Sequence, residues 1–438
     1  MNKDKTLKVI FVVCLAVLAL TIAVIQPAQA APDEGMKMTL IEYIANNNRL
    51  PHGDDPEILD DVWGTSYGFT PYIPYIISAL LVKVLYLFTH DEYAVYVVSR
   101  MPSVISYVLA IVFLIKASDN LFERKYAKWL FVLLVTLYPS LLFTAGYINI
   151  DMFSIFTQSL IVYAWSCGIK DKWSTKSCVK LGVGVGLCAI SYYNAYGYIL
   201  ASILLFIITI TKTKITPKEF FKKFALVSCI ALLIGGWFFV RNAVIYDGDF
   251  LALNISDECS EKYAMDKFKP SQKYLPAKEH LGVYEFFIVT RWFHVTAITF
   301  VASFGQLSNL RALPYTYVFY YALFAIAVIA YFARFYKFKQ IKEWKQDKNK
   351  LFFDLNMILC MIVPVLLAIY YSYFCDYQPQ GRYLLPMVIP MMYFVTIGCD
   401  TIINKIKNER IQKTTIVILN VLLISAVACF MIPFINAF

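Results

Sequence analysis

The stretch PYIPYIISALLVKVLYLFT, residues 71–89, decides the fold, because the sidedness of everything after it depends on whether it crosses a membrane. It is apolar and close to the roughly 20 residues needed to traverse about 30 Å of hydrocarbon. The next segment, 93–116, is equally apolar, and beyond it lie Lys116, Arg124, Lys125 and Lys128. If both segments crossed, those four cations would share a side with the acidic loop that precedes them. Cytoplasmic loops gather Lys and Arg, so parity favours one crossing, 93–116. Residues 71–89 then lie on the outer surface as a juxtamembrane helix. Pro71, Pro74, Lys83 and the aromatic residues of the stretch suit that interface.

The same accounting extends along the chain. Of 438 residues 59% are hydrophobic and 16% charged, where a soluble protein carries about 25% charged residues. Basic residues cluster at 3–8, 116–128, 170–180, 212–223, 334–350 and 405–413, which together hold 27 of the 40 Lys and Arg. Placing all six clusters inside requires a crossing and a return between each pair. The expected spans are 8–26, 93–116, 128–146, 152–169, 179–193, 196–211, 224–241, 315–335, 352–373, 383–399 and 414–436. Segment 284–304, which contains Arg291 and His294, is expected to be a second outer surface helix. The expectation is an all-α polytopic membrane protein of about 11 transmembrane helices, N-terminus in and C-terminus out, forming a single domain over 1–438. Its large outer loops are 27–92, which is acidic, and 242–314.

Lys3, Lys5 and Lys8 before an apolar run, with Ala28-Gln29-Ala30 after it, imitate a secretory signal. The run from Val9 to Ile25 is long for one, so an uncleaved first span is expected. The net charge of +10 reports topology, and nothing in the chain forms a nucleic-acid module. Ten cysteines form no CxxC pair; Cys259 and Cys375 both face outward in this topology, where a disulfide between them is an open alternative. The four histidines lack metal spacing, and Walker, dinucleotide and nucleophile-elbow motifs are absent.

Chemistry-bearing residues recur at outer span ends. Asp33 and Glu34 follow the first span, where a fixed carboxylate could take a proton from a hydroxyl or simply be solvated. Asn149 and Asp151 occupy a tight outer turn, where Asp151 could serve a substrate or where Asn149 or Asp151 could simply cap the next helix. Arg241 and Asn242 close one span and Arg382 opens another, against the positive-inside trend. Arginine presents paired donors that fit phosphate oxygens, but at a span end it also snorkels to lipid head groups. Lys83 offers the same two readings. Tyr192, Tyr193 and Tyr196 form an outer turn suited either to sugar stacking or to an interface belt.

In order along the chain, Pro32-Asp33-Glu34, Arg100-Met101-Pro102-Ser103, the Asn149/Asp151 turn, and Arg241-Asn242 with Gln380-Gly381-Arg382-Tyr383 resemble the GT-C superfamily of membrane glycosyltransferases. That superfamily includes protein O-mannosyltransferases and the aminoarabinose transferases of lipid A. The last two places are more similar to an uncharacterised bacterial branch. The resemblance implies a sugar donor on a polyprenyl phosphate, reached from within the bilayer at the extracytoplasmic face of a bacterial cell membrane. It implies Asp33 as catalytic base with Glu34 in reserve, and inversion at the anomeric carbon. Donor-phosphate contacts would come from Arg382, Arg241 and Lys83, and acceptor or orienting contacts from Asp151, Asn149 and Asn242. Lipid, glycan, cell-wall and protein acceptors are all compatible with it, the loop 242–314 being the expected selector.

Two departures stand out. The His and Lys of the mannosyltransferase first-loop motif are missing from Phe69–Tyr75, and no Asp-x-Asp pair follows the first span, so a divalent metal is not expected and no cofactor is implied. A transporter or flippase of a lipid-linked saccharide, and a non-catalytic envelope-assembly scaffold, are the competing readings. A transporter would place charges near the midplane and show internal repeats, neither of which the sequence offers.

Overall fold

The computed structural model describes residues 3–213, 215–306, 310–333, 344 and 346–438. Most of the basic cluster at 334–350, and Lys214 of the cluster at 212–223, lie outside the described residues. Helices dominate. In chain order they are α1 (Lys3–Ile25), α2 (Glu34–Asn47), α3 (Ile73–Leu85), α4 (Glu92–Ser99), α5 (Met101–Leu121), α6 (Lys125–Thr136), α7 (Pro139–Ala145), α8 (Asp151–Asp171) and α9 (Thr175–Ala189). There follow α10 (Gly197–Thr211), α11 (Pro217–Ile245), α12 (Leu253–Tyr263), α13 (Trp292–Val301), α14 (Pro314–Ala333), α15 (Lys348–Tyr370), α16 (Val388–Ile403) and α17 (Glu409–Ala437).

Among the described residues nine helices are long and apolar enough to cross a membrane, and the bent pair α6–α7 brings the number to ten. The pair bends by 60° just before Pro139, whose ring disfavours helical geometry in the residue ahead of it. The protein is a multi-pass membrane protein. Ten of the eleven expected spans are thus accounted for. The eleventh, 179–193, corresponds to α9, which has 15 residues and a rise of about 22 Å. α9 is held by packing on both sides. A Cβ on Gly182 or Gly186 would come within 2.9 and 2.8 Å of Ile230 and Ile234 of α11, and one on Gly184 within 2.9 Å of Ile161 of α8. Small residues at this spacing let helix backbones approach closely.

The two segments expected on the outer surface are short helices. α3 has 13 residues and α13 has 10, both too short to cross.

Contacts at the bundle ends agree with the charge-derived topology. At one end Lys8 pairs with Asp119 (2.6 Å), Lys125 with Asp4 (2.7 Å) and Arg124 with Asp400 (2.8 Å). These exposed pairs add little stability, but they join three segments expected on the inner side. At the other end the outer loops meet. The Gly53 N–H donates to the Tyr246 hydroxyl (2.7 Å), the Met265 N–H to the Val62 carbonyl (3.1 Å), and Trp63 packs on Phe268 with ring centroids 4.4 Å apart. Cys259 and Cys375 are free thiols, so the disulfide alternative is not realised in the structure.

The core runs through the middle of the bundle. α8 is its axis, buried over most of its length although it carries Ser154, Thr157, Gln158 and Ser159. Most of their donors are satisfied within the helix: Thr157 donates to the Ser154 carbonyl at 2.7 Å, Ser159 to that of Ile155 at 2.8 Å, and Gln158 Nε2 to Ser154 Oγ at 2.9 Å, while Gln158 Oε1 is buried without a partner. A hydroxyl bonded to its own helix costs little in an apolar surrounding.

Candidate active site

The site is built where α1 ends. The carbonyls at and just beyond its end, Ala23, Gln26 and Pro27, accept from the Arg100 guanidinium at 2.8, 2.6 and 2.7 Å. A cation at a helix C-terminus meets the negative end of the helix dipole and its unpaired carbonyls. The same guanidinium grips Glu34 in a two-point contact at 3.0 and 2.9 Å, and both side chains are 0% exposed. Glu34 Oε1 also accepts the Ile148 N–H at 3.0 Å. One carboxylate therefore ties the end of α1, the start of α2, the start of α5 and the turn that leads into α8. Glu34, expected as a reserve base, has its carboxylate enclosed and committed to these partners.

Asp33 directs its carboxylate to the other side of the same turn. Its backbone is left-handed, with φ of 57°, a conformation Asp tolerates better than most residues. Oδ2 accepts from Arg382 Nη2 at 2.9 Å and from the Tyr67 hydroxyl at 3.0 Å. The Asp33 and Arg382 side chains are 33% and 19% exposed, so this pair is open to a ligand where the Glu34 pair is closed.

Arg382 is positioned by the residue before it. A Cβ at Gly381 would come within 2.0 Å of the Phe300 backbone nitrogen, so only glycine lets α13 lie this close. The Gly381 N–H donates to Thr299 Oγ1 at 2.7 Å. Outer surface helix α13 thereby fixes the arginine. Beside Arg382 is a small cavity of about 20 Å³ with a mixed lining that includes Ser140, Thr144, Tyr147 and Thr299 as well as Phe143 and Leu385.

Asp151 is buried, within electrostatic reach of Arg382, Lys37 and Asp33. Asn149 resolves the ambiguity of that turn. Its Oδ1 accepts the Met152 N–H at 2.8 Å and its Nδ2 donates to the Thr144 and Tyr147 carbonyls at 2.7 Å, so Asn149 ties the helix start and Asp151 faces the charged cluster. Of the outer tyrosine turn, Tyr192 reaches the cluster's rim, its ring centroid 6.3 Å from that of Tyr383.

Other expected phosphate ligands lie elsewhere. Arg241 donates to the Pro51 carbonyl at 2.6 Å and bears on Tyr72 and Tyr246, away from Asp33. Asn242 is buried beneath loop 242–314, its Nδ2 3.4 Å from the Phe250 carbonyl. Lys83 is an exposed side chain at the end of α3 that bonds to Asn48. The span-end positions put Arg241 and Asn242 near the outer loops, where they reach the Pro51 and Phe250 carbonyls, but lateral position depends on helix packing that a charge count does not contain.

The sequence reading missed Lys37. It is 3% exposed, donates to the Pro32 carbonyl at 2.8 Å, and lies over the rings of Tyr67 and Tyr147 at 5.2 and 5.5 Å. Burial pulls its pKa down to about 8, with Asp33, Asp151 and Glu34 opposing that fall. The spacing to Asp33 gives no signal, because Asp33 has a left-handed backbone and lies just outside the helix that carries Lys37. Burial alone would raise the Asp33 pKa, but the charges of Arg382 and Lys37 outweigh it and hold the carboxyl well below its ordinary range. Burial pushes the Tyr67 hydroxyl upward, so it stays a proton donor to Asp33. Among the described residues no three His, Cys, Asp or Glu side chains are grouped to share a metal ion.

No family model and no curated protein sequence matches the chain. Solved structures do. The archaeal oligosaccharyltransferase AglB from Archaeoglobus fulgidus, in complex with an inhibitory peptide and a dolichol-phosphate, aligns over 99% of this chain with a TM-score of 0.59 at 14% identity. The chain spans only 56% of AglB's length. ArnT from Cupriavidus metallidurans aligns over 94% of this chain and 62% of its own when bound to undecaprenyl phosphate (TM-score 0.52, 14% identity), and over 99% and 76% in the apo state (0.55, 12%). At such identities the likeness is one of fold: this chain shares the fold of the membrane regions of AglB and ArnT that it aligns with.

Proposed function

We propose that the chain is an integral membrane glycosyltransferase that moves a sugar from a polyprenyl-phosphate donor to an acceptor hydroxyl at the extracytoplasmic face of a bacterial cell membrane, inverting the anomeric carbon. One observation carries this reading: Asp33 and Arg382, 349 residues apart, meet in an open ion pair beside Lys37 and Asp151. They do so in a fold whose neighbours AglB and ArnT hold dolichol-phosphate and undecaprenyl phosphate.

In the reaction the acceptor hydroxyl gives its proton to Asp33 as its oxygen bonds to the anomeric carbon. The bond from that carbon to the phosphate oxygen breaks, and its electron pair leaves with the polyprenyl phosphate. The sugar passes through an oxocarbenium-like transition state, as glycosyl centres do. Charge grows on the departing phosphate, and the Arg382 guanidinium is the donor that meets it once it is released from Asp33. Asp151 orients the acceptor, and the paired outer loops 27–92 and 242–314 select it. Glu34, Asn149 and Asn242 serve the framework. This mechanism uses no metal.

The test is sugar transfer from labelled polyprenyl-phosphate donors by the wild type and Asp33→Asn in proteoliposomes. Transfer by the wild type and its loss in the variant is the expected result. Equal transfer by both would remove Asp33 as base. No transfer from any donor, with movement of the lipid-linked sugar across the bilayer, would replace the enzyme with a transporter.

A further inference from the structure

Four charges meet at the site. Arg382 and Lys37 are cations, and Asp33 and Asp151 are carboxylates. The cluster is therefore neutral as it stands, and an incoming phosphate must displace something to find a counter-charge. The two cations differ in their freedom. Lys37 is buried, its Nζ tied to the Pro32 carbonyl and enclosed by the faces of Tyr67 and Tyr147. Arg382 is partly exposed, and its Nη2 is engaged by the carboxylate that the reaction needs free.

We propose that the Asp33–Arg382 contact is a latch that the donor phosphate opens, with Lys37 the positioning cation that stays beside Asp33 when Arg382 leaves. This rests on the glycosyltransferase reading and adds an order of events to it. A phosphate oxygen and Asp33 Oδ2 are rival acceptors for one guanidinium. While Asp33 holds Arg382, the adjacent positive charge makes it a poor proton acceptor. When the phosphate takes Arg382, Asp33 loses that partner and its proton affinity rises at the moment an acceptor hydroxyl can be used. The base is thus armed by the donor. Lys37, unable to follow the phosphate, keeps the two carboxylates from facing each other uncompensated.

The latch makes an inverted forecast: removing the catalytic carboxylate should improve donor binding. Binding of undecaprenyl phosphate is to be titrated against wild type, Asp33→Asn and Asp151→Asn in nanodiscs, with sugar transfer measured in parallel. Asn adopts the left-handed backbone of position 33 readily, and Asp33→Ser serves as a second variant should the first be poorly folded. Asp33→Asn should bind about ten-fold more tightly than wild type, the size of one charge-assisted hydrogen bond no longer contested, while its transfer falls by about 10²–10⁴-fold. Asp151→Asn removes the same charge through space without freeing a bonded donor, and should tighten binding by less. Lys37→Met should lower kcat with little change in the KM for donor.

If wild type binds and transfers while Asp33→Asn binds no more tightly, the latch is wrong and the glycosyltransferase reading stands. Equal tightening in both Asn variants reduces the effect to net charge and also overturns the latch. A rise in donor KM without a change in kcat for Lys37→Met makes Lys37 a phosphate ligand and overturns its assigned part. Wild type that neither binds nor transfers brings down the functional reading, and the latch with it.

Discussion

Asp33 and Glu34 are adjacent acids, and each meets an arginine distant in sequence. The Glu34–Arg100 pair is sealed, with both side chains 0% exposed and the guanidinium also bonded to three carbonyls. The Asp33–Arg382 pair is open, with 33% and 19% of its side chains exposed. Both pairs have salt-bridge distances of 2.9 Å, so distance does not distinguish them. Surroundings do. A buried pair with every donor and acceptor satisfied resists exchange, because losing one partner strands the other in an apolar interior. The open pair keeps one side toward solvent, where water and ligand can compete for its donors and acceptors. One turn therefore presents a fixed acid and an exchangeable one, and the fixed acid holds the exchangeable one in place.

The sharpest way to break this comparison is Asp33→Asn. Transfer should fall by about 10²–10⁴-fold, the range for loss of a general base, while the thermal midpoint in detergent stays near that of wild type. Arg100→Met should do the reverse in kind. It leaves Glu34 buried without its cation and should cost about 3–5 kcal/mol of stability, read as a fall in the unfolding midpoint and in folded yield. If Arg100→Met left stability untouched while abolishing transfer, the division between the two pairs would be wrong.

A smaller effect concerns pH. Lys37 is charged below about pH 8 and neutral above it. Activity that depends on its charge should decline on the alkaline side of pH 8, and the decline should vanish from the pH–rate profile of Lys37→Met. Stability should move the opposite way. Folding lowers the pKa of Lys37 from 10.5 to about 8, so the unfolded chain binds more protons in that window. The lysine's contribution opposes folding below pH 8 and is relieved as pH rises toward 10.5. Smallest of all, Lys83→Ala should change stability by no more than about 0.5 kcal/mol, as exposed substitutions away from special features do, and should leave donor KM unchanged. A marked rise in donor KM would return Lys83 to the phosphate site.

The sequence carried the fold through its charges. The Lys and Arg clusters led to the expectation that Asp33, Asp151 and Arg382 share one end of the bundle, where the structure brings them together, and the bonds from Lys8 to Asp119 and from Arg124 to Asp400 join segments expected at the other end. The same parity argument kept residues 71–89 from crossing, and α3 is indeed too short. What it could not carry was rotation about each helix axis. Arg241 and Arg382 look alike as arginines at outer span ends, but one reaches the Pro51 carbonyl and the other Asp33. Lys37 was invisible for a related reason. A lysine in a polar loop looks solvated until two tyrosines from elsewhere in the chain, Tyr67 and Tyr147, enclose it. The Gly-rich α9 has 15 residues, a limit that composition does not report.

The union of the two outer loops carries a lesson for engineering. At Gly64, with φ of +61°, a Cβ would fall within 2.3 Å of the Ala264 nitrogen, next to the bond from the Met265 N–H to the Val62 carbonyl. The loops thus share main-chain contacts that depend on the local path of both. A chimera that imports 242–314 from a relative, in the hope of importing its acceptor preference, would set a foreign backbone against Gly64. Residues 27–92 and 242–314 are one exchangeable part, and a graft should move them together.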